Sequence, residues 1–370
     1  MRTKLILSLL AITMTARAQF TMQTSNTTAD LRGIHNVGNG VAWASGTYGT
    51  VLRTEDGGYV WQSCSVPPGA EKLDFRGIQA FDANTVIVMS SGPGDQSRLY
   101  KTTDGCQSWK LLFTNPDKDG FWDAMEANRN GGLLIGDPVN GRFAIYGSRD
   151  SDLETWDRIG EKSDFNHFRF DISPYEGEGL FAASNSSLIG SPSMGLFFVT
   201  GGPNGAFFVY EVWGAHGALG YPTFGSAKLA LPLAKGKSAG AFSLACSDRL
   251  SSRPKQTCIV VGGDYLQPNS SDGVAAFNSN VMKHWSPSET PPHGYRSSVA
   301  YDPSAKTWIT VGPNGTDIST DDGRNWRPVH PNPALHESPD ADRNWNALSL
   351  PYVVGPHGRI GRLDEPALKH

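Results

Sequence analysis

One eight-residue pattern recurs along this chain at separations that a single functional site would not need. Thr54, Asp56, Gly58 and Trp61 in "TEDGGYVW" return at the same offsets as Ser319, Asp321, Gly323 and Trp326 in "STDDGRNW". A third copy, "TTDGCQSW", carries Thr102, Asp104 and Trp109, with Cys106 where the other two have glycine. In such a turn Asp can accept backbone N–H bonds, Gly can take a positive φ, and Trp can cover a neighbouring sheet with its large apolar face. The pattern therefore reads as scaffolding, and the distance between copies as the period of a repeat.

Aligning 31–66 with 75–113 defines the repeat. Each begins with an R-G-I strand, continues through an apolar strand ending in Ser-Gly, runs into the turn, and closes with a strand opened by the tryptophan. Four short strands in roughly 40–50 residues is the period of a propeller blade. The pattern continues with decay through 121–156, 177–213, 241–285, 295–326 and 345–365, which makes seven units, the last without a fourth strand. The segment "FTMQTSNT" (20–27) alternates in polarity and has nothing else to pair with, so it is expected to complete that last unit. The predicted fold class is all-β: a seven-bladed β-propeller of four-stranded blades, closed by the N-terminal strand. Residues 19–370 form one domain on this reading.

Composition agrees, since 42 Gly, 24 Pro and only 18% charged residues suit short strands and many turns. Residues 1–18 read as a secretory signal: Arg2 and Lys4, an apolar run from Leu5 to Met14, then Ala16-Arg17-Ala18 before the cut. Its removal takes away three cations and no acid, moving the formal charge from −4 to −7. The mature chain is thus expected to be secreted or periplasmic, monomeric and mildly acidic. That charge argues against nucleic acid as a partner, and no later apolar run is long enough for membrane insertion. Cys246 and Cys258 flank a hairpin-like loop and are a candidate disulfide; Cys64 and Cys106 could pair or stay free. No C-x-x-C, H-E-x-x-H or G-x-G-x-x-G after a strand is present, so neither metal nor cofactor is expected. "GKSAG" (236–240) matches G-x-S-x-G but lacks the strand-then-helix setting of a nucleophile elbow.

The turns at 54–61, 102–109 and 319–326 resemble Asp-box (BNR) repeats. The fuller unit "GIQAFDANTVIVMSSGPGDQSRLYKTTDGCQSW" is similar to the photosystem II assembly factor branch, Ycf48/Hcf136-like, of the sialidase-like superfamily. The resemblance spans nearly all of 20–365. It implies a binding or assembly module with a protein partner or glycan at the top face, where the first strands of the blades begin.

Superposing the seven units on the R-G-I position predicts a ring at that mouth: Arg32, Arg76, Asp123, Glu178, Ser243, Arg296 and Asn346. The loops between second and third strands add Asp137, Asp264 and Tyr265, and Trp122, Tyr295 and Trp345 lie beside ring positions. One reading is a charge network lining a water-filled channel. The other is a ligand site, with Arg32, Arg76, Arg296, Asp123, Glu178, Trp122, Asp264 and Tyr265 in contact with the ligand. Arginine forks match carboxylates, and Asp123, Glu178 and Tyr295 are the catalytic candidates if the protein is a glycoside hydrolase or polysaccharide lyase on an acidic glycan. The F-R-I-P segment and residue order of sialidases are missing, so no sialidase assignment carries over. The polar, Pro-containing insertion 332–344 is expected as a mobile loop at the top rim.

Overall fold

The computed structural model describes residues 19–160, 170, 172–191, 195–212, 225–247, 257–278 and 284–364. The signal-like segment lies outside them. Seven four-stranded antiparallel sheets succeed one another around a ring. In the first blade β2 (Leu31–Gly38) is innermost, followed outwards by β3 (Val41–Gly46), β4 (Val51–Thr54) and β5 (Gln62–Ser63). The seventh blade holds β26 (Ala347–Ser349), β27 (Tyr352–Val354) and β28 (Ile360–Leu363), and its outer strand is β1 (Phe20–Gln23). Phe20 faces Leu363 and Gln23 faces Ile360 in that register. The ring is thus closed by pairing the two ends of the chain, which leaves no open seam and ties down a segment that would otherwise fray. Among the described residues no helix is long and apolar enough to cross a membrane.

The Ser/Thr-x-Asp turns explain why the blades stack. Thr54 Oγ1 donates to Asp56 Oδ1 at 2.9 Å and accepts the Gly58 N–H at 2.9 Å, while Asp56 Oδ1 accepts the Val60 N–H at 3.0 Å. The turns at Thr102 and Ser319 repeat these bonds within 0.2 Å. The Ser108 hydroxyl and N–H hold the Asp104 carboxyl down to about 2, so this turn is fully ionised at neutral pH. Each turn then reaches the outer edge of the preceding blade. Trp61 Nε1 donates to Gln23 Oε1 at 2.9 Å, Trp109 Nε1 to the Ser65 carbonyl at 2.8 Å, and Trp326 Nε1 to Ser288 Oγ at 3.2 Å. Because Gln23 lies on β1, the turn of blade one grips the strand that closes blade seven.

Insertion 332–344 is pinned rather than free at the rim. The buried Glu337 carboxylate accepts the N–H groups of Gln19, Phe20 and Asn332, so the insertion anchors the closing strand.

Both cysteine pairs are disulfides. Cys246–Cys258 staples facing positions of β18 (Ala239–Cys246) and β19 (Cys258–Asp264). Cys64–Cys106 joins the outer edge of blade one to the turn of blade two. Cys106 sits at φ 66°, where the other two turns use Gly58 at 88° and Gly323 at 81°. A left-handed conformation costs a residue with a Cβ about 1–2 kcal/mol, and the cross-link offsets it. A 42-residue separation places this disulfide in the usual range of about 2–4 kcal/mol. Cys64→Ser should therefore lose about that much in urea denaturation, whereas Cys106→Gly, which also relieves the backbone, should lose about 1 kcal/mol less.

Candidate functional site

The inner strands decide which side chains meet at the axis, and their first residues carry β-bulges. In blades one, two and three the extra residue of the bulge is Arg32 on β2, Arg76 on β6 (Phe75–Ala80) and Asp123 on β10 (Trp122–Asn128). In blade five it is Phe242 on β18, not Ser243. Leu31, Arg296 and Trp345 each donate a backbone N–H to a glycine carbonyl of the preceding blade. These three are therefore equivalent, and the residues that follow them, Arg32, Ser297 and Asn346, share the ring position. The ring predicted from sequence is thus one residue out of step in blades five and six, and a one-residue slip sends a side chain to the other face.

The ring opens into a pit of about 460 Å3 on the upper face, where the first strands begin. Arg32, Arg76, Asp123, Asp137, Tyr265 and Tyr295 supply its polar lining, and Phe181, Phe242 and Trp345 much of its apolar wall. Phe181 stacks on Phe242 with ring centroids 3.9 Å apart, and Tyr295 meets Phe242 edge-on at 4.8 Å.

The floor is a surprise of the fold. The stretch Ala182–Ser186 of blade four enters the axis and hydrogen-bonds four other blades. The Ala182 carbonyl accepts Arg76 Nη1 at 3.1 Å, and Asn185 brackets Met125, accepting its N–H at 2.8 Å and donating to its carbonyl at 3.0 Å. The Ser186 carbonyl accepts the Leu244 N–H at 2.8 Å, and Ser184 Oγ donates to the Ser297 carbonyl at 2.7 Å. Ser243 therefore serves this plug, its hydroxyl 2.7 Å from that of Ser186. Below the plug a second pit of about 550 Å3 opens on the lower face, with His35, Gln79, Glu126 and Tyr301 in its wall. The water-filled through-channel expected from sequence is replaced by two pits back to back.

Several predicted site residues lie elsewhere, each for a visible reason. Glu178 is buried within blade four, paired with Lys228 Nζ at 2.7 Å and accepting the Thr200 hydroxyl at 2.7 Å. It does not line the pit, so an Asp123–Glu178 catalytic pair is not assembled there. Arg296 is fully buried within blade six against Asp317, with its Nε 2.8 Å from Oδ2, and bonds the Tyr295 carbonyl and Asn314. Trp122 is also fully buried, stacked on Phe113 at 5.3 Å in the seam between blades. Asp264 caps a turn through the Leu266 N–H at 3.0 Å. Its neighbour Tyr265 does line the pit and is half exposed.

The remaining charges are unevenly matched. Arg76 Nε holds Asp74 at 2.8 Å, but Arg32 reaches Asp30 only at 4.0 Å, and its buried Nε has no partner. Asp123 is 1% exposed with an unpartnered Oδ2. Burial, and then the nearby Asp137, push its carboxyl well above the usual range against the pull of Arg76. Burial raises Asp137 too, although its Oδ1 accepts the Leu180 N–H at 3.0 Å. Burial also raises the Tyr295 phenol, so it stays protonated at neutral pH and is no nucleophile there. Sequence reasoning missed Phe181, Phe242 and Ser297; the bulge that presents Phe242 leaves no compositional trace.

With this geometry in hand, the comparison with solved structures is direct. YCF48 from Cyanidioschyzon merolae superposes with a TM-score of 0.58 at 16% identity, over 94% of this chain and 99% of that one. The fold is that of a Ycf48-like propeller. A YCF48 structure bound to a D1 peptide gives 0.57 at 17% identity, over 94% and 97%. A GH74 xyloglucanase from Xanthomonas campestris gives 0.57 at 13%, over 94% of this chain and 54% of its own. No protein-family model matches the sequence, and no curated protein does. The Ycf48-like scaffold thus accounts for the blades, while the site rests on this chain's own residues.

Two outcomes are expected of this geometry. Asn185→Ala leaves both backbone groups of Met125 without a partner, and should lower stability by about 2–4 kcal/mol in urea denaturation. Asp123 has a raised carboxyl in the folded state, so its contribution is fully present below the unfolded value near 3.8 and is lost as pH rises through the folded value. Asp123→Asn should accordingly match the wild type in thermal unfolding near pH 4 and gain on it as pH rises, levelling off once the folded value is passed.

Proposed function

We propose that the protein is a secreted or periplasmic binding module that holds a partner, a protein segment or a glycan, over the upper-face pit. The observation that carries this reading is the pairing of two unsatisfied buried groups, Asp123 Oδ2 and Arg32 Nε, in the lining of one concave, aromatic-walled site. Buried polar atoms without partners are uncommon, and a cleft that gathers them beside raised carboxyl groups is where a ligand is to be sought. The plug gives the site a fixed floor, so little ordering is needed on binding. A YCF48 structure of the same fold holds a D1 peptide, which supports a peptide-like partner here. A second reading, glycoside hydrolase or lyase on an acidic glycan, retains one supporting feature: Asp123 and Asp137 are neighbouring carboxyls that burial pushes upward, the direction a general acid needs.

The test is a binding screen of the mature chain against defined synthetic peptides and neutral or uronate-bearing oligosaccharides. A subset should bind, with affinity reduced tenfold or more by Arg76→Ala combined with Tyr265→Ala and unchanged by Tyr301→Ala on the lower face. The opposite pattern would move the function to the lower pit. No binding across the screen would remove the reading, and release of shortened or unsaturated sugars would replace it with the enzyme.

A further inference from the structure

The charges of the upper pit do not describe a simple anion trap. Two guanidiniums, Arg32 and Arg76, stand against four carboxyls: Asp30, Asp74, Asp123 and Asp137. Arg76 is consumed by Asp74 and the plug carbonyl of Ala182. What remains is a guanidinium with a spare donor on blade one and a buried carboxyl with a spare acceptor on blade three. They sit in different blades of the same pit, with the stacked Phe181 and Phe242 completing the wall.

From this arrangement we propose that the pit is a receptor for a small zwitterion of the amino-acid type, its carboxylate on Arg32, its ammonium on Asp123, and an apolar side chain against Phe181 and Phe242. A guanidinium fork fits a carboxylate, and an ammonium supplies the donors that a buried carboxyl otherwise obtains only from a proton. A pit of about 460 Å3 is within the usual range of about 300–1,000 Å3 for small-molecule sites. The groups that face Asp123 are Asp137 on β11 (Gly131–Val139), Arg76 on β6, and the backbone N–H groups of Asp137 and Ala182. Of these only Asp137 shares its sign, so an arriving ammonium is drawn to the pair.

The inference rests on the upper pit being the binding site, and the experiment separates the two. The mature chain is titrated calorimetrically with a panel of free L-amino acids and, for L-phenylalanine, with 3-phenylpropionate and phenethylamine, each lacking one charge. At least one apolar amino acid should bind, and for phenylalanine both one-charge analogues should be tenfold or more weaker. Arg32→Gln and Asp123→Asn should each weaken it tenfold or more; the second is isosteric with the protonated acid and keeps the fold, as thermal unfolding checks. Equal binding of 3-phenylpropionate would make the pit an anion site, and equal binding of phenethylamine a cation site; either overturns the proposal. No amino acid bound while peptides or glycans bind the upper face would overturn it and leave the binding module standing. Silence in both screens would remove both.

Discussion

At three of the seven seams the indole N–H at the end of a Ser/Thr-x-Asp turn is given to the outer edge of the blade before it, and that contact ties those blades into the ring. A blade alone is a four-stranded sheet with two apolar faces and no layer of its own to cover them. Its tryptophan spans the gap: Trp61 packs edge-on against Tyr352 of blade seven at 5.8 Å while its nitrogen finds Gln23. The aspartate acts one step back, since Asp56, Asp104 and Asp321 hold the turn whose far end aims the ring. In blade two the same function is reinforced covalently, because Cys106 occupies the glycine position and reaches Cys64 across the seam. Closure by β1 then makes the contact circular, so that no blade is terminal.

A propeller also has an inner edge, and that edge raises a separate problem. Each innermost strand presents backbone groups to the axis that no neighbouring strand can satisfy. Here Ala182–Ser186 supplies the partners. Its residues are small enough to enter the axis, and its Ser and Asn side chains and carbonyls answer backbone groups of blades three, five and six, while the Ala182 carbonyl accepts the Arg76 guanidinium of blade two. Asn185 adopts φ 60°, a left-handed conformation that asparagine tolerates better than most residues. The two pits follow from this solution, because filling the middle of a channel leaves a recess at each end.

The fold was legible because its signals are periodic and local. Alternating strands, the turn with its fixed offsets, and an orphan strand at the N-terminus are each visible in a dozen residues or fewer. The site was legible only in part. Arg32, Arg76, Asp123, Tyr265 and Tyr295 were identified and do line the pit. Arg296 and Glu178 were not distinguishable from them, because "YRSS" read as another R-G-I opening and "GEGL" as another blade entrance. What separates them is a one-residue offset in one case, since Arg296 is equivalent to Leu31, and the stretch that enters the axis in the other. Neither changes composition or periodicity enough to be seen without neighbours in space.

Arg296 and Glu178 also show how this fold treats a buried charge that serves structure. Arg296 has Asp317, Asn314 and a carbonyl around it, and Glu178 has Lys228, Thr200 and the Tyr175 N–H. Such matched sets offset much of the desolvation they incur, and removing one partner is strongly destabilising. Asp123 has the same burial, and although Arg76 and the N–H groups of Asp137 and Ala182 face it, its Oδ2 has no partner. A buried, unmatched carboxyl beside a second one lowers stability at neutral pH, and an amide or apolar residue there would fold at least as well. Asp123 instead lies buried in the lining of the pit with one oxygen unpartnered. Asp123 is therefore best understood as held ready for a donor from outside the chain, with Arg32 as the complementary half of that demand.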